Sequence, residues 1–299
     1  DSGVEVHELG NAAVTAFQEA YVQKVIDTVN DLDNVLFEIS NESHSGSQAW
    51  QYHMINFIQD YEATLPQQHP VGMTVTWPSG SNSELFASPA DWISPNGDIN
   101  NPDTADGSKV ILLDSDHLCG VCGDRQWVWK SFTQGHNPIF MDGYDGAGYG
   151  VGGDGFDFAD PTWVSLRQNL GFAREYANRL DLASMEPQPG LASSGYALAS
   201  DKAFLVYDPS GGSVRVDLTA VSGTLDVEWL NPATGELYTG ATVSGGAQRN
   251  LVAPFSGDAV LYLCLPSVPP TTSEATGTVE VSYLPLVLTS TTNNSSNCG

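Results

Sequence analysis

The chain has 299 residues, of which 41% are hydrophobic and 10% aromatic, and its 36 Asp and Glu against 10 Lys and Arg give a formal net charge of -26. A field of that sign repels phosphate backbones and anionic lipid headgroups, which excludes nucleic acid as an expected partner and leaves a neutral sugar tolerated. The apolar content excludes an intrinsically disordered chain, and no run of 18 or more apolar residues is present to span a membrane.

The length allows two domains. In "VTAFQEAYVQKVIDTVNDL", Val14, Phe17, Tyr21, Val25, Ile26 and Val29 recur at helical spacing, which predicts an amphipathic helix. It leads into an apolar strand over residues 34–40, which stops on Asn41 and Glu42. A second helix follows, with Trp50, Met54, Phe57, Ile58 and Tyr61 on its face, and then the strand "VGMTVTW". The alternation continues through "DWISP", the strand "KVILLDSD", the helix "DRQWVWKSFTQG", the strand "PIFMDGY" and the helix "PTWVSLRQNLGFAREYANRLDL". Apolar strands separated by amphipathic helices predict a parallel sheet covered by helices, so residues 1–183 are assigned to an α/β domain. From residue 184 the period changes. "GYALAS", "AFLVYD", "SVRVDL", "LDVEWL", "ATVSG" and "AVLYLCL" are short alternating strands between turn signals, which predicts an all-β sandwich over 184–265. Residues 266–299 read as a linker and a low-complexity tail.

Polar residues gather at the carboxyl ends of the predicted strands: Glu42 after the first, Trp77 after the second, Asp114 and Asp116 after the fourth, Asp142 and Tyr144 after the fifth. A (β/α)8 barrel builds its active site at that end. Hydrolysis of a glycosidic bond needs two carboxyl groups flanking the anomeric carbon, one to protonate the leaving oxygen and one to attack it or activate water. Glu42 and an aspartate of "LLDSDH" suit those roles. Cys119 and Cys122 form a lone C-x-x-C, with Cys264 and Cys298 the remaining cysteines, so a local disulfide or free thiols are expected in preference to a metal site. The glycine-rich "YDGAGYGVGGDGFDF" follows no phosphate-cradling pattern, and no cofactor is expected.

The segment "EISNE" resembles the acid/base signature of clan A glycoside hydrolases, in which an Asn-Glu pair ends the fourth barrel strand and the nucleophile ends the seventh. The resemblance implies that Glu42 is the general acid/base and Asn41 the amide that binds the sugar 2-hydroxyl. It also implies that Asp116 or Asp114, three strands later, is the nucleophile, although that position in the clan is usually Glu. Trp77, His117, Asp142 and Tyr144 are expected substrate contacts, each against a plainer structural role. Apiosidase-like hydrolases are similar in joining such a barrel to a C-terminal β-sandwich of the type labelled collagen-binding. If residues 34–40 are the fourth strand, the chain carries strands four to eight of a TIM barrel, which reads as an N-terminally truncated enzyme; it opens on Asp1 without an initiator Met. The expected activity is a retaining glycosidase, secreted or cell-surface and bacterial-type, acting on an oligo- or polysaccharide. The rival is a non-catalytic carbohydrate- or matrix-binding protein with an inactive barrel.

Overall fold

A computed structural model describes residues 4–143 and 157–266. Its first part runs α1 (Ala12–Val29), β1 (Phe37–Glu38), α2 (Gln48–Glu62), β2 (Val71–Thr74), α3 (Asn82–Ala87), β3 (Trp92–Ser94), β4 (Val110–Asp114), α4 (Arg125–Thr133), β5 (His136–Ile139) and α5 (Pro161–Arg179). Side-chain oxygens of Asn11, Asp124 and Asp160 cap α1, α4 and α5 by accepting from the first free amides of each helix.

The five strands are parallel and adjacent in strict chain order, β1-β2-β3-β4-β5. A doubly wound sheet reverses its order at a switch point; this sheet does not, so it is singly wound. Strand alternation gives it two unlike faces. Met73, Ile93, Ile111 and Leu113 are buried in one core with Ile55 and Ile58 of α2 and with Trp127 and Val128 of α4. The opposite face carries Glu38, Thr74, Ser94, Leu112 and Asp114. There the Trp92 indole lies directly over Gly72, where any Cβ would collide with the ring.

The helix face predicted on α1 is largely unpartnered. Ile26 is fully buried, but Phe17 is 80% and Tyr21 71% exposed, because β1 is an edge strand and no described element covers that side of α1. The same edge position shortens the strand expected over 34–40 to two residues. The fifth strand starts at His136 and ends at Ile139, overlapping the segment expected to form it only at Pro138 and Ile139.

The second part holds β6 (Glu186–Pro187), β7 (Ala197–Ala199), β8 (Ala203–Asp208), β9 (Ser213–Asp217), β10 (Thr224–Leu230), β11 (Leu237–Thr239), β12 (Val243–Ser244), β13 (Gln248–Val252) and β14 (Ala259–Cys264). An antiparallel sheet of order β11-β10-β14-β8-β7-β6, with β12 on β10, faces a separate ribbon of β9 and β13. Phe204, Val206, Val227, Trp229, Leu261 and Leu263 pack with Val214 and Val216 of that ribbon. Leu205, Tyr207, Val260 and Tyr262 project the other way and join the core that holds Trp127, Trp129, Leu166 and Tyr176. The large sheet is therefore covered on one face by the ribbon and on the other by α4 and α5. Trp127 and Trp129 are helix core.

Two buried histidines set opposite pH limits on stability. His136 is 4% exposed, and burial pushes it down to about 4 against a smaller raising effect of Asp103. Its contribution is full above the ordinary histidine value near 6.5 and is lost as pH falls toward 4. His69 faces acceptors through both ring nitrogens, Glu62 Oε1 at 2.6 Å and the Leu32 carbonyl at 2.7 Å. Burial lowers it, but the Glu62 hydrogen bond, the Leu32 carbonyl and the Glu62 charge together leave it raised. Its contribution is full below about 6.5 and is lost as pH rises through the raised value. Chemical denaturation across pH is thus expected to show highest stability near pH 6.5. The acid side should flatten in a His136→Asn variant, and the alkaline side in Glu62→Gln.

Candidate active site at the carboxyl ends of the parallel strands

The turn after β1 is bound to β2. Thr74 Oγ1 donates toward Glu38 Oε1 at 3.2 Å and the Ser40 carbonyl at 3.1 Å, the Ser40 and Ser43 hydroxyls are hydrogen-bonded, and the Trp77 amide donates to the Ser43 carbonyl at 3.0 Å. Within that fixed turn Asn41 and Glu42 are exposed to solvent. Glu42 has φ 49°, and it is the one non-glycine residue with positive φ among the described residues. A left-handed conformation costs an L-residue with a full side chain about 1–2 kcal/mol, and such strain concentrates at functional sites. The structure brings Trp77 to the same turn: its indole is 61% exposed, and its bond to Pro78 is cis.

The turn after β4 carries the two aspartates. Alternation along β4 puts Asp114 on the polar face, opposite the buried Leu113. Asp114 Oδ1 accepts from the Asp116 amide at 3.0 Å, so Asp114 also shapes the turn in which Asp116 lies half-buried. His117 is held to β3 through Nδ1 and the Ser94 hydroxyl at 2.8 Å, while its Nε2 is buried without a partner among the described residues. Cys119 and Cys122 are joined by a disulfide just beyond, which settles the alternatives the sequence left open. Asp142 is tied by a 2.8 Å bond from Arg167 Nε, and the Arg167 guanidinium also donates to the Phe158 carbonyl and lies over the Phe158 ring. Its carboxylate thus anchors the loop after β5 to α5. Tyr144 lies outside the described residues, as does most of the glycine-rich segment.

Glu42 and Asp114 therefore stand at the carboxyl ends of strands three positions apart, a backbone gap of roughly 14 Å at about 4.8 Å per strand. Curvature of a barrel wall turns side chains on its inner face toward one another and shortens such a gap. Among the described residues no group of His, Cys, Asp and Glu is arranged to hold a metal ion. A cavity of about 770 Å³ lies at the opposite end, around Lys109, His136 and Asn137, away from these carboxylates; its position excludes it as their substrate pocket. Sequence reasoning missed Glu38, Ser94 and Ser115. The alternation of each strand was the available signal for the first two.

Residues 192–263 match a family described as "Putative collagen-binding domain of a collagenase". No curated protein matches the chain by sequence. Among solved structures, one titled "Glycoside hydrolase" is similar at TM-score 0.54 and 12% identity, over 87% of this chain and 70% of that one. A glycoside hydrolase family 5 structure from Bacteroides vulgatus ATCC 8482 is similar at TM-score 0.56 and 14% identity, over 82% of this chain and 65% of that one. At such identities the likeness is one of fold: the chain has a glycosidase-like fold, spanning about two thirds of the length of these neighbours.

Proposed function

We propose that the parallel sheet is the C-terminal part of a (β/α)8 barrel and that the whole acts as a retaining glycoside hydrolase. Glu42 is the general acid/base and Asp114 the nucleophile, with Asp116 as the alternative. The observation that carries this reading is the left-handed Glu42 in the turn after β1, three strands from Asp114 on the polar face of β4. The strand order without reversal and the glycoside hydrolase neighbours support it. Asn41, Trp77 and His117 line the sugar, with Trp77 offering a stacking face; Asp142 acts through the loop it holds. A C-x-x-C disulfide supports an exported protein, secreted or at the cell surface. The test is hydrolysis of a panel of aryl glycosides, including a pentoside of the apiosidase type, with the first-formed anomer read by NMR. For the whole barrel, retention supports the pair of roles, inversion removes the nucleophile, and no turnover on any member removes the activity.

The barrel reading also accounts for the bare side of α1. A groove of about 350 Å³ lined by Tyr21, Val22, Val25, Phe37 and Ile39 runs beside the open edge of β1, where further βα units of a barrel would lie. The 299-residue chain alone is expected to self-associate through this face. Sedimentation should show a larger monomer fraction in a Phe17→Glu, Tyr21→Glu double variant.

The family match over 192–263 favours a second reading, in which the β-domain holds the protein to a carbohydrate or protein matrix. Co-sedimentation of the full chain with fibrillar collagen and with insoluble polysaccharide tests it, since a Glu42→Gln variant should bind as the wild type does.

A further inference from the structure

Ser115 stands between the two candidate nucleophiles and is completely buried. All three of its hydrogen-bonding groups are engaged. Its amide donates to the Ile139 carbonyl at 2.9 Å, its hydroxyl accepts from the Met141 amide at 2.8 Å, and its carbonyl receives the amides of Leu118, Cys119 and Gly120 at 3.1, 2.9 and 2.9 Å. Two of these bonds cross to the strand and loop of β5, and three close the turn that the Cys119–Cys122 disulfide staples. A buried serine in that position joins the β4 turn to β5 on one side, as His117 and Ser94 join it to β3 on the other.

We propose that Ser115 is a positioning residue that fixes the direction of the Asp114 and Asp116 side chains; this rests on the reading of those aspartates as candidate nucleophiles. Without its hydroxyl the Met141 amide loses its acceptor and the β4 turn loses a link to β5. The Asp116 amide is then free to leave Asp114 Oδ1, and the carboxylate samples other rotamers.

The test is hydrogen exchange and side-chain carboxyl NMR on the full chain. In Ser115→Ala the amides of Asp116, Cys119, Gly120 and Met141 are expected to exchange about tenfold faster, as for one lost buried hydrogen bond, while amides of β8 and β14 keep their rates. The Asp114 carboxyl resonance should shift and broaden, and Ser115→Thr, which keeps the hydroxyl, should restore both. On a hydrolysed substrate, kcat should fall at least tenfold with KM within about twofold, as expected for a geometric fault in the transition state. The proposal is overturned if only Met141 responds and the Asp114 resonance stays in place, or if kcat per folded molecule is unchanged. If Ser115→Ala does not fold, the wild-type chain decides. Met141, Cys119 and Gly120 should then share one protection factor, and a Met141 rate a hundredfold apart from the other two ends the idea. Absence of hydrolysis by the wild type would defeat the glycosidase reading alone, because exchange and the carboxyl resonance still report on the tether.

Discussion

Replacing Glu42 by glutamine is expected to lower kcat/KM for sugars with poor leaving groups by about 10²–10⁴-fold, the range that a positioned proton donor contributes. The expectation follows from its place. Glu42 sits exposed in a left-handed conformation on a turn whose neighbours are fixed by Thr74, Ser43 and Trp77, so a strained backbone is held by its surroundings just beyond the strand end. Glutamine keeps the shape and the backbone strain but carries no transferable proton. The loss should therefore shrink for an aryl glycoside whose leaving group departs without protonation. An Asp114→Asn variant should instead lose activity whatever the leaving group, because glycosyl-enzyme formation itself needs the nucleophile. If Asp116→Asn behaves this way and Asp114→Asn does not, the two aspartates exchange roles. If both keep full activity, the two-carboxylate reading is wrong.

The parallel strands were legible because each is a short apolar run between amphipathic helices, and "VGMTVTW", "DWISP" and "KVILLDSD" all become strands. The antiparallel strands around "AFLVYD" and "AVLYLCL" were legible because each is a short apolar run between turn signals. What was not legible depends on contacts between distant residues. Leu237–Thr239 and Gln248–Val252 carry half-exposed, mostly polar side chains, and only pairing with β10 and β9 makes them strands. Phe17 and Tyr21 fit a helical period, yet that pattern does not tell which apolar stripe meets a partner. At the site, strand ends marked Glu42 and Asp114, but Arg167, which takes up the Asp142 carboxylate, lies 25 residues on. Ser115 carries no motif at all, since a serine between two aspartates reads as an exposed turn until β5 covers it.

Removing the carboxylate of Asp258 is expected to produce the largest loss of stability from a single change in the β-domain, about 3 kcal/mol, because it leaves a buried tyrosine hydroxyl and a half-buried guanidinium unpaired. Asp258, immediately before β14, is buried, and it accepts two bonds from Arg125 Nε and Nη2 at 3.0 and 2.8 Å and a third from the Tyr207 hydroxyl at 3.0 Å. Arg125 opens α4, so the triad binds the parallel-sheet part to the β-domain. A second clamp lies at the far end of α5, where Arg179 and the Tyr176 hydroxyl both donate to Glu228 of β10 at 2.8 Å. Between the clamps Trp129, Tyr176, Tyr207 and Tyr262 stack and meet edge-on as one aromatic block. That block and both clamps occupy one face of the large sheet, so on this side the β-domain braces α4 and α5 and is not free for a ligand. Urea denaturation of Asp258→Ala should show a lower midpoint, and an early phase in which the β-domain signal separates from the rest. In a double-mutant cycle, Arg125→Ala and Asp258→Ala should cost less together than the sum of their separate effects, by about 1–3 kcal/mol for a coupled pair. Strict additivity, with one unchanged cooperative transition, would mean that the aromatic block alone holds the two parts together.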